Sequence, residues 1–151
     1  MYDCWSDMDT QRAYNFKFAE DFNEFTEFEI AEFPFWVTVF DKKKEVKVGT
    51  LRLGADDKYP DLAIWVFPKY RNKKYGTKSF RLALQYLFEH THFIEISAGC
   101  YSDNRYSKRM LLNIGFYHYP EGDVKEISCF TGETLIQEEY RITRDILDYY
   151  R

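Results

Sequence analysis

Residues 66–78 read VFPKYRNKKYGTK, and this stretch decides the fold. The pattern predicts an apolar strand before it and an amphipathic helix after it, joined by a short basic loop with one glycine. The first N–H groups of a helix have no partner inside the helix, so a loop of this kind is a natural anion site. We therefore predict that the loop binds a phosphate-bearing cofactor.

The charge around the loop supports that prediction. Residues 68–81 include six basic residues and no acidic one, although the formal net charge of the chain is −4. An acidic total argues against a general nucleic-acid or membrane-surface binder, so neither partner is expected. A solvated helix start is the alternative explanation of the basic residues, and spacing alone leaves both open.

Composition sets the broad class. The length of 151 residues predicts one domain over residues 1–151, and 20% aromatic residues indicate a bulky core. Three cysteines without a CxxC or Cys/His cluster indicate free thiols in a reducing compartment and no metal. The acidic N-terminus lacks the apolar region of a signal peptide, and no apolar run has membrane-spanning length. We expect a cytoplasmic protein, with a homodimer as one possible state, and the sequence leaves the oligomeric state open.

The remaining elements are predicted from periodicity. One or two helices are expected between residues 9 and 31, where Phe18, Phe22, Phe25 and Phe28 form a helical stripe. Strands are predicted at residues 35–40, 46–53, 61–67, 93–98, 116–119 and 138–143, with a bulge near Gly49. Helices are predicted around residues 80–87 and between Asn104 and Gly115, and residues 144–151 form either a short tail helix or a frayed end. This order indicates an α+β fold with one mixed sheet covered by helices.

Two motifs make the chain resemble the GNAT superfamily, the N-acetyltransferases that use acetyl-CoA. Its cofactor motif, Gln/Arg-x-x-Gly-x-Gly/Ala after a Val-x-Pro, is matched by Arg71 to Gly76 after residues 66–68. Its second motif, Asn-x-x-Ser/Ala before a helix ending in Gly-Phe, is matched by Asn104 to Ser107 and by residues 115–116. The similarity spans roughly residues 35–142.

The resemblance implies a mostly antiparallel mixed sheet with helices on both faces and a splayed central pair of parallel strands, residues 61–67 and 93–98. Acetyl-CoA would lie between their ends, with its pantetheine arm along the first strand and its pyrophosphate on the N–H groups of residues 72–77. The cofactor-binding residues so implied are Trp65, Val66, Phe67, Arg71, Asn72, Lys73, Lys74, Tyr75, Gly76, Thr77, Asn104 and Ser107.

The chain departs from the family pattern in three places. Lys74 stands at the first motif glycine, where its side chain either clashes with the phosphates or supplies an ammonium to them. Leu111 stands where many members have a tyrosine that protonates the leaving thiolate. The first strand of the family is not evident before Asp9, so either the chain is trimmed there or the alternation of residues 14–18 replaces it.

For the catalytic residues the chain looks most like the ribosomal-protein N-terminal acetyltransferase branch. That resemblance implies Ser107 as the acid and Asp61 as the base that deprotonates the amine. The alternatives are a helix-bonded serine and a solvated strand-edge carboxylate.

The function implied is acetyl transfer from acetyl-CoA to a primary amine of a small molecule or of a peptide or protein N-terminus. An acidic rim at Glu20, Glu24, Glu27, Glu29 and Glu32 would attract a cationic amine, although such residues also keep a Phe-rich helix soluble. The alternative function is a catalytically impaired CoA-binding or protein-interaction module, which Lys74 and Leu111 favour.

Overall fold

The computed structural model describes residues 1–19, 21–23, 35–54 and 60–149. The helices are α1 (Tyr2–Trp5), α2 (Met8–Ala13), α3 (Tyr75–His90), α4 (Arg105–Ile114) and α5 (Arg144–Tyr149). The strands are β1 (Phe35–Asp41), β2 (Val46–Leu53), β3 (Leu62–Val66), β4 (Glu95–Tyr101), β5 (Tyr117–His118), β6 (Val124–Ile127) and β7 (Thr134–Thr143). Single 3-10 turns lie at Pro68–Tyr70 and Pro120–Gly122.

The strands form two antiparallel sheets that meet at one point. One sheet has the order β1-β2-β3, and the other has the order β4-β7-β5 with β6 also paired to β7. Asp61 and Ser97 form an isolated parallel bridge, and the Ser97 N–H donates to the Pro60 carbonyl at 2.9 Å. We call this bridge the vertex, because β3 and β4 pair no further within the described residues. The predicted α+β fold with a splayed parallel strand pair is therefore confirmed, but the expected single mixed sheet is divided into two antiparallel sheets that meet at this bridge.

The core lies between the sheets and the two longer helices. Helix α3 buries an apolar stripe that includes Phe80, Leu84 and Leu87, and α4 buries Leu111 and Ile114. This spacing is the helical periodicity that the sequence shows. The core packing fixes the N-termini of both helices beside the end of β3, which is where the site is built.

A bulge in β2 confirms another prediction. Val39 pairs with Gly49 but Phe40 pairs with Lys47, so Val48 is an extra residue in β2. A Cβ added to Gly49 would overlap the Trp65 carbonyl oxygen on β3, well inside van der Waals contact. Glycine is therefore required for the close approach of the two strands.

The N-terminal region differs from the prediction. Helices form at residues 2–5 and 8–13, earlier than expected, and described residues 15–19 are neither helix nor strand. Phe16 and Phe18 instead pack edge-to-face on Trp5, so their spacing reflects an aromatic cluster. The predicted stripe beyond residue 23 and the acidic rim lie outside the described residues.

Two sequence expectations about absent features concern the described residues only. None of their helices is both long and apolar enough to cross a membrane. No group of three or more metal-ligating side chains occurs among them.

Candidate active site

A cavity of about 710 Å³ opens beside the splayed strands. Its walls are helix α2, the end of β3, the loop and helix start at residues 70–77, and the N-terminus of α4. The volume is in the range of sites for small molecules and cofactors. The anion site predicted from residues 66–78 therefore forms one wall of a larger cavity.

Most of the predicted cofactor residues line this cavity. They are Trp65, Val66, Arg71, Asn72, Lys74, Tyr75, Gly76, Thr77, Asn104 and Ser107. Phe67 does not line it, and its N–H donates to the Val48 carbonyl of β2 at 2.9 Å. Lys73 also lies outside, where its ammonium donates to the Lys69 carbonyl at 2.9 Å.

The edge of β3 turns its polar backbone groups toward the gap between the sheets. Asp61 and Phe67 bond to β2, and alternate residues of a strand direct their backbone groups to opposite sides. Ile64 and Val66 therefore face the gap. The Ile64 carbonyl accepts from the Tyr14 hydroxyl at 2.6 Å, and the Val66 carbonyl accepts from Arg71 Nε at 3.3 Å. This edge is suited to bind an extended, amide-bearing ligand.

The first backbone donors of helix α3 have no hydrogen-bond partner within the described part of the chain. Its N-cap residue, Lys74, makes no side-chain capping bond, and the Lys78 N–H bonds back to the Lys74 carbonyl at 3.2 Å. The N–H groups of residues 75–77 precede that first helical bond, so they remain for an anion. The helix is 16 residues long, and its dipole adds partial positive charge at this end.

Lys74 keeps the backbone conformation that a glycine favours. Its φ of 63° and ψ of 12° are left-handed, and Asn72 nearby has a φ of 59°. A lysine in this conformation is strained, because its Cβ crowds the following carbonyl. Position 74 therefore has the left-handed backbone that favours glycine, although the residue there is lysine.

Gly76 allows α3 and α4 to approach each other. A Cβ at this position would lie 3.1 Å from Met110 Sδ on α4 and 3.7 Å from Val66 Cγ2 on β3. A larger side chain at position 76 would therefore press against α4 beside the cavity.

Arg71 ties the loop to the N-terminal arm, which we define as residues 2–15. Its guanidinium contacts the Asp7 carboxylate at 2.8 Å and donates to Thr10 Oγ1 at 2.5 Å. Asp7 also caps α2 by accepting from the Thr10 N–H at 2.9 Å. Burial opposes ionisation of Asp7, but the hydrogen bonds from Thr10 and Arg71 hold its pKa below the usual value. No local pattern in the sequence predicts this pairing.

Tyr75 ties the loop to the β1–β2 hairpin. Its hydroxyl donates to Asp41 at 2.5 Å and accepts from the Lys44 ammonium at 3.0 Å. The hydrogen bond from Tyr75 is the main reason that the pKa of Asp41 is lowered. The phenol of Tyr75 is thus occupied on the outside of the loop.

Trp65 contributes a buried donor without a partner. Its ring stacks on Tyr14 at 5.1 Å and on Trp36 at 6.1 Å between centroids. Its Nε1 is buried and has no hydrogen-bond partner among the described residues. A ligand with carbonyl or phosphate oxygens fits this orphan donor, the free N–H groups of α3 and the gap-facing edge of β3.

The two predicted catalytic residues lie in different parts of the site. Ser107 is the third residue of α4, lines the cavity, and has its N–H capped by the Asn104 side chain at 3.1 Å. Asp61 lies at the vertex rather than in the cavity wall. Burial raises the pKa of Asp61, as does Glu139, against the opposing effects of Arg52 and the Gly99 N–H.

The family follows from a comparison with known domain families. The model of the acetyltransferase (GNAT) domain matches residues 1–117, more than three quarters of the chain. The chain belongs to the GNAT acetyltransferase family. The predicted enzyme class, acetyl-CoA-dependent acyltransferase, is confirmed at this level. A search of curated proteins found no significant match.

Solved GNAT structures share the fold at low sequence identity. A GNAT-family acetyltransferase from Bacillus anthracis aligns with a TM-score of 0.77 and 21% identity, covering 96% of this chain and 87% of that chain. Spermidine N-acetyltransferase from Vibrio cholerae, solved in complex with CoA and spermine, aligns with a TM-score of 0.82 and 15% identity. That alignment covers 97% of this chain and 89% of the Vibrio chain.

Proposed function

We propose that this GNAT acetyltransferase moves an acetyl group from acetyl-CoA to a primary amine of a small molecule or of a peptide or protein N-terminus. The observation that carries the proposal is the cavity that joins the gap-facing edge of β3 to the free N–H groups of α3. The pantetheine arm would pair with the β3 edge, and the pyrophosphate would bind at residues 72–77. The Trp65 indole N–H would find its acceptor on the same ligand.

Lys74 and Asn104 support cofactor binding from two sides. Lys74 adds an ammonium group to the helix start without distorting the left-handed backbone. Asn104 fixes the first turn of α4, so Ser107 is held in the cavity wall. Both contributions favour the binding of an oxygen-rich ligand at this position.

Asp61 is the proposed base. A reacting amine must lose its ammonium proton, and a carboxylate with a raised pKa accepts a proton at a higher pH than an ordinary aspartate. Its place at the vertex puts it at the end of the gap away from the phosphate loop. Ser107 is the proton donor that the resemblance implies, and the finer assignment to the ribosomal-protein branch depends on these two residues.

A cationic amine is the proposed acceptor class. The Vibrio cholerae structure contains spermine, and this chain places carboxylates of Asp61 and Glu139 within electrostatic reach of each other at the gap. Free thiols at Cys4, Cys100 and Cys129 support the predicted cytoplasmic setting. The alternative, an impaired CoA-binding module, is favoured by the apolar Leu111 on α4.

Release of free thiol from acetyl-CoA tests the proposal. The amines assayed are a polyamine, an aminoglycoside and a short peptide with a free N-terminus. We expect amine-dependent thiol release by the wild type and a loss of about 10²-fold or more in Asp61→Asn. The exposed Glu121→Gln variant is the matched control and should keep the wild-type rate. Binding of acetyl-CoA without thiol release for any amine would support the impaired module instead.

A further inference from the structure

We propose that Tyr14, on the N-terminal arm, donates the proton taken up by the leaving thiolate, an assignment that rests on the proposed acetyl transfer. Its hydroxyl donates to the Ile64 carbonyl at 2.6 Å, and the residue lines the cavity. Apolar Leu111 on α4 has no proton to give, so another residue must be the donor.

The position along β3 favours Tyr14. Phosphate groups at residues 72–77 would place the thioester end of the ligand further along the β3 edge, toward the vertex. Ile64 lies on that edge between the vertex at Asp61 and the loop that follows Val66. The Tyr14 hydroxyl is therefore at the reacting end of the gap, and a ligand that pairs with this edge would meet it directly.

The other hydroxyls of the cavity are less suitable. Tyr70 and Thr77 belong to the loop and helix start where the phosphates would bind. The hydroxyls of Thr10 and Tyr75 donate to the carboxylates of Asp7 and Asp41, which are stronger acceptors than the neutral Ile64 carbonyl that holds the Tyr14 hydroxyl. Tyr106 is 83% exposed. Ser107 remains the competitor, but an aliphatic hydroxyl is a far weaker acid than a phenol.

The arm holds the Tyr14 side chain in a fixed place. Its ring lies nearly parallel to Trp65, with an interplanar angle of 20°. The next residue, Asn15, has a left-handed φ of 49°, donates to the Ile127 carbonyl at 3.0 Å and accepts from the Cys129 N–H at 2.9 Å. Arg71 lies in the loop after β3, which belongs to the β1-β2-β3 sheet, and its contact with Asp7 anchors the start of α2 there. The arm thus bridges both sheets, and the phenol is preorganised.

The electrostatics keep the phenol protonated. The ring is partly exposed, but desolvation raises the pKa of Tyr14, and the negative charge of Asp61 raises it further.

The step balances as follows. The amine nitrogen bonds to the thioester carbon, the carbon–sulfur bond breaks, and the sulfur takes the phenolic proton of Tyr14. The nitrogen gives up two protons through water. One goes to Asp61 and then to solvent, and the other restores the phenol.

Tyr14→Phe tests the assignment, since it retains the stacking on Trp65 and loses only the O–H group. We expect kcat to fall about 100-fold, while the Kd for acetyl-CoA measured by calorimetry stays within a factor of about three. In Ser107→Ala, kcat should fall by less than tenfold. Tyr86→Phe, a tyrosine on the exposed side of α3, is the control and should keep wild-type turnover.

A second measurement separates chemistry from folding. With the acetyl thioester of 5-thio-2-nitrobenzoate, whose thiolate needs no proton to leave, the rate ratio of wild type to Tyr14→Phe should approach one. Unchanged kcat in Tyr14→Phe, or a loss of acetyl-CoA binding and turnover together, would overturn the assignment. A wild type that binds no acetyl-CoA would instead overturn the proposed function itself.

Discussion

The guanidinium of Arg71 contacts the carboxylate of Asp7 at 2.8 Å, which joins the loop of the cofactor motif to the first helices of the chain. Both side chains are about a quarter exposed. Through this contact a motif residue also positions the N-terminal arm, and hence Tyr14, over the cavity.

Asp7→Asn should loosen the arm without removing the cap of α2, because asparagine also caps helices. For this partly exposed ion pair we expect the free energy of local opening to fall by about 1 kcal/mol. Amide hydrogen exchange over residues 4–14 should then be roughly fivefold faster. Asp9→Asn is the control, since Asp9 lies 3.9 Å from the same guanidinium and is 81% exposed. Equal exchange rates in the two variants would contradict the assigned role of Asp7.

The same ion pair should respond to acid. The pKa of Asp7 is lowered in the folded chain, so its contribution to stability is present above the ordinary value of 3.8 and disappears as pH falls through the folded value. Protection of residues 4–14 should therefore decrease in that acidic range in the wild type and change less in Asp7→Asn.

The loop and the two motif helices were predictable because their signals are local. The glycine at residue 115 has the left-handed φ of 117° that ends α4, and Asn104 caps the helix as expected. The apolar spacing of α3 likewise identified its buried face. Such features need only neighbouring residues, which the sequence displays directly.

The arm was mispredicted because its structure depends on distant contacts. Helices α1 and α2 have four and six residues, too few for a periodic signal. Their position is fixed by Arg71 reaching Thr10 across 61 residues and by Tyr14 reaching Ile64 across 50 residues. No local pattern announces these pairs, so the role of Tyr14 emerged only from the structure.

Lys74→Gly should stabilise the fold. Relief of the left-handed strain is worth about 1 kcal/mol, which raises the melting temperature by roughly 2–4 °C for a chain of this size. Lys73→Gly is the matched control, because the adjacent lysine lacks a positive φ and should lose a few tenths of a kcal/mol. Thermal unfolding of both variants measures this difference. A melting temperature that falls equally in both would contradict the backbone strain assigned to Lys74.

Asp61→Asn should raise stability while it removes activity. Burial raises the pKa of Asp61 above its ordinary value of 3.8. The contribution of its neutral form to the free energy of unfolding is therefore fully present below pH 3.8. That contribution is lost as the pH rises through the pKa of the folded protein. The variant should melt higher than wild type at neutral pH and equally in acid. The transfer rate of the wild type should rise with pH across the same interval.

Asp123→Asn is a control for which we expect the opposite change in melting temperature. Burial opposes ionisation there, but hydrogen bonds with the Glu139 N–H and His118 hold the pKa of Asp123 below its usual value. That substitution should lower the melting temperature at neutral pH. Two variants that shift in the same direction would show that the sign assigned to Asp61 is wrong.

Gly49→Ala should damage the sheet beside the cavity. The added methyl group would collide with the Trp65 carbonyl oxygen on β3, and such overpacking destabilises by about 1–3 kcal/mol. Gly54→Ala, whose added Cβ would meet its nearest neighbour at an ordinary 3.6 Å, should lose less. Chemical unfolding of the two proteins compares them directly.

Calorimetric titration of the wild-type protein with acetyl-CoA tests the central claim most directly. The free N–H groups of α3, the Lys74 ammonium and the edge of β3 predict one site per chain, with a Kd on the order of micromolar. The absence of saturable binding at millimolar acetyl-CoA, in a protein shown to be folded, would contradict it.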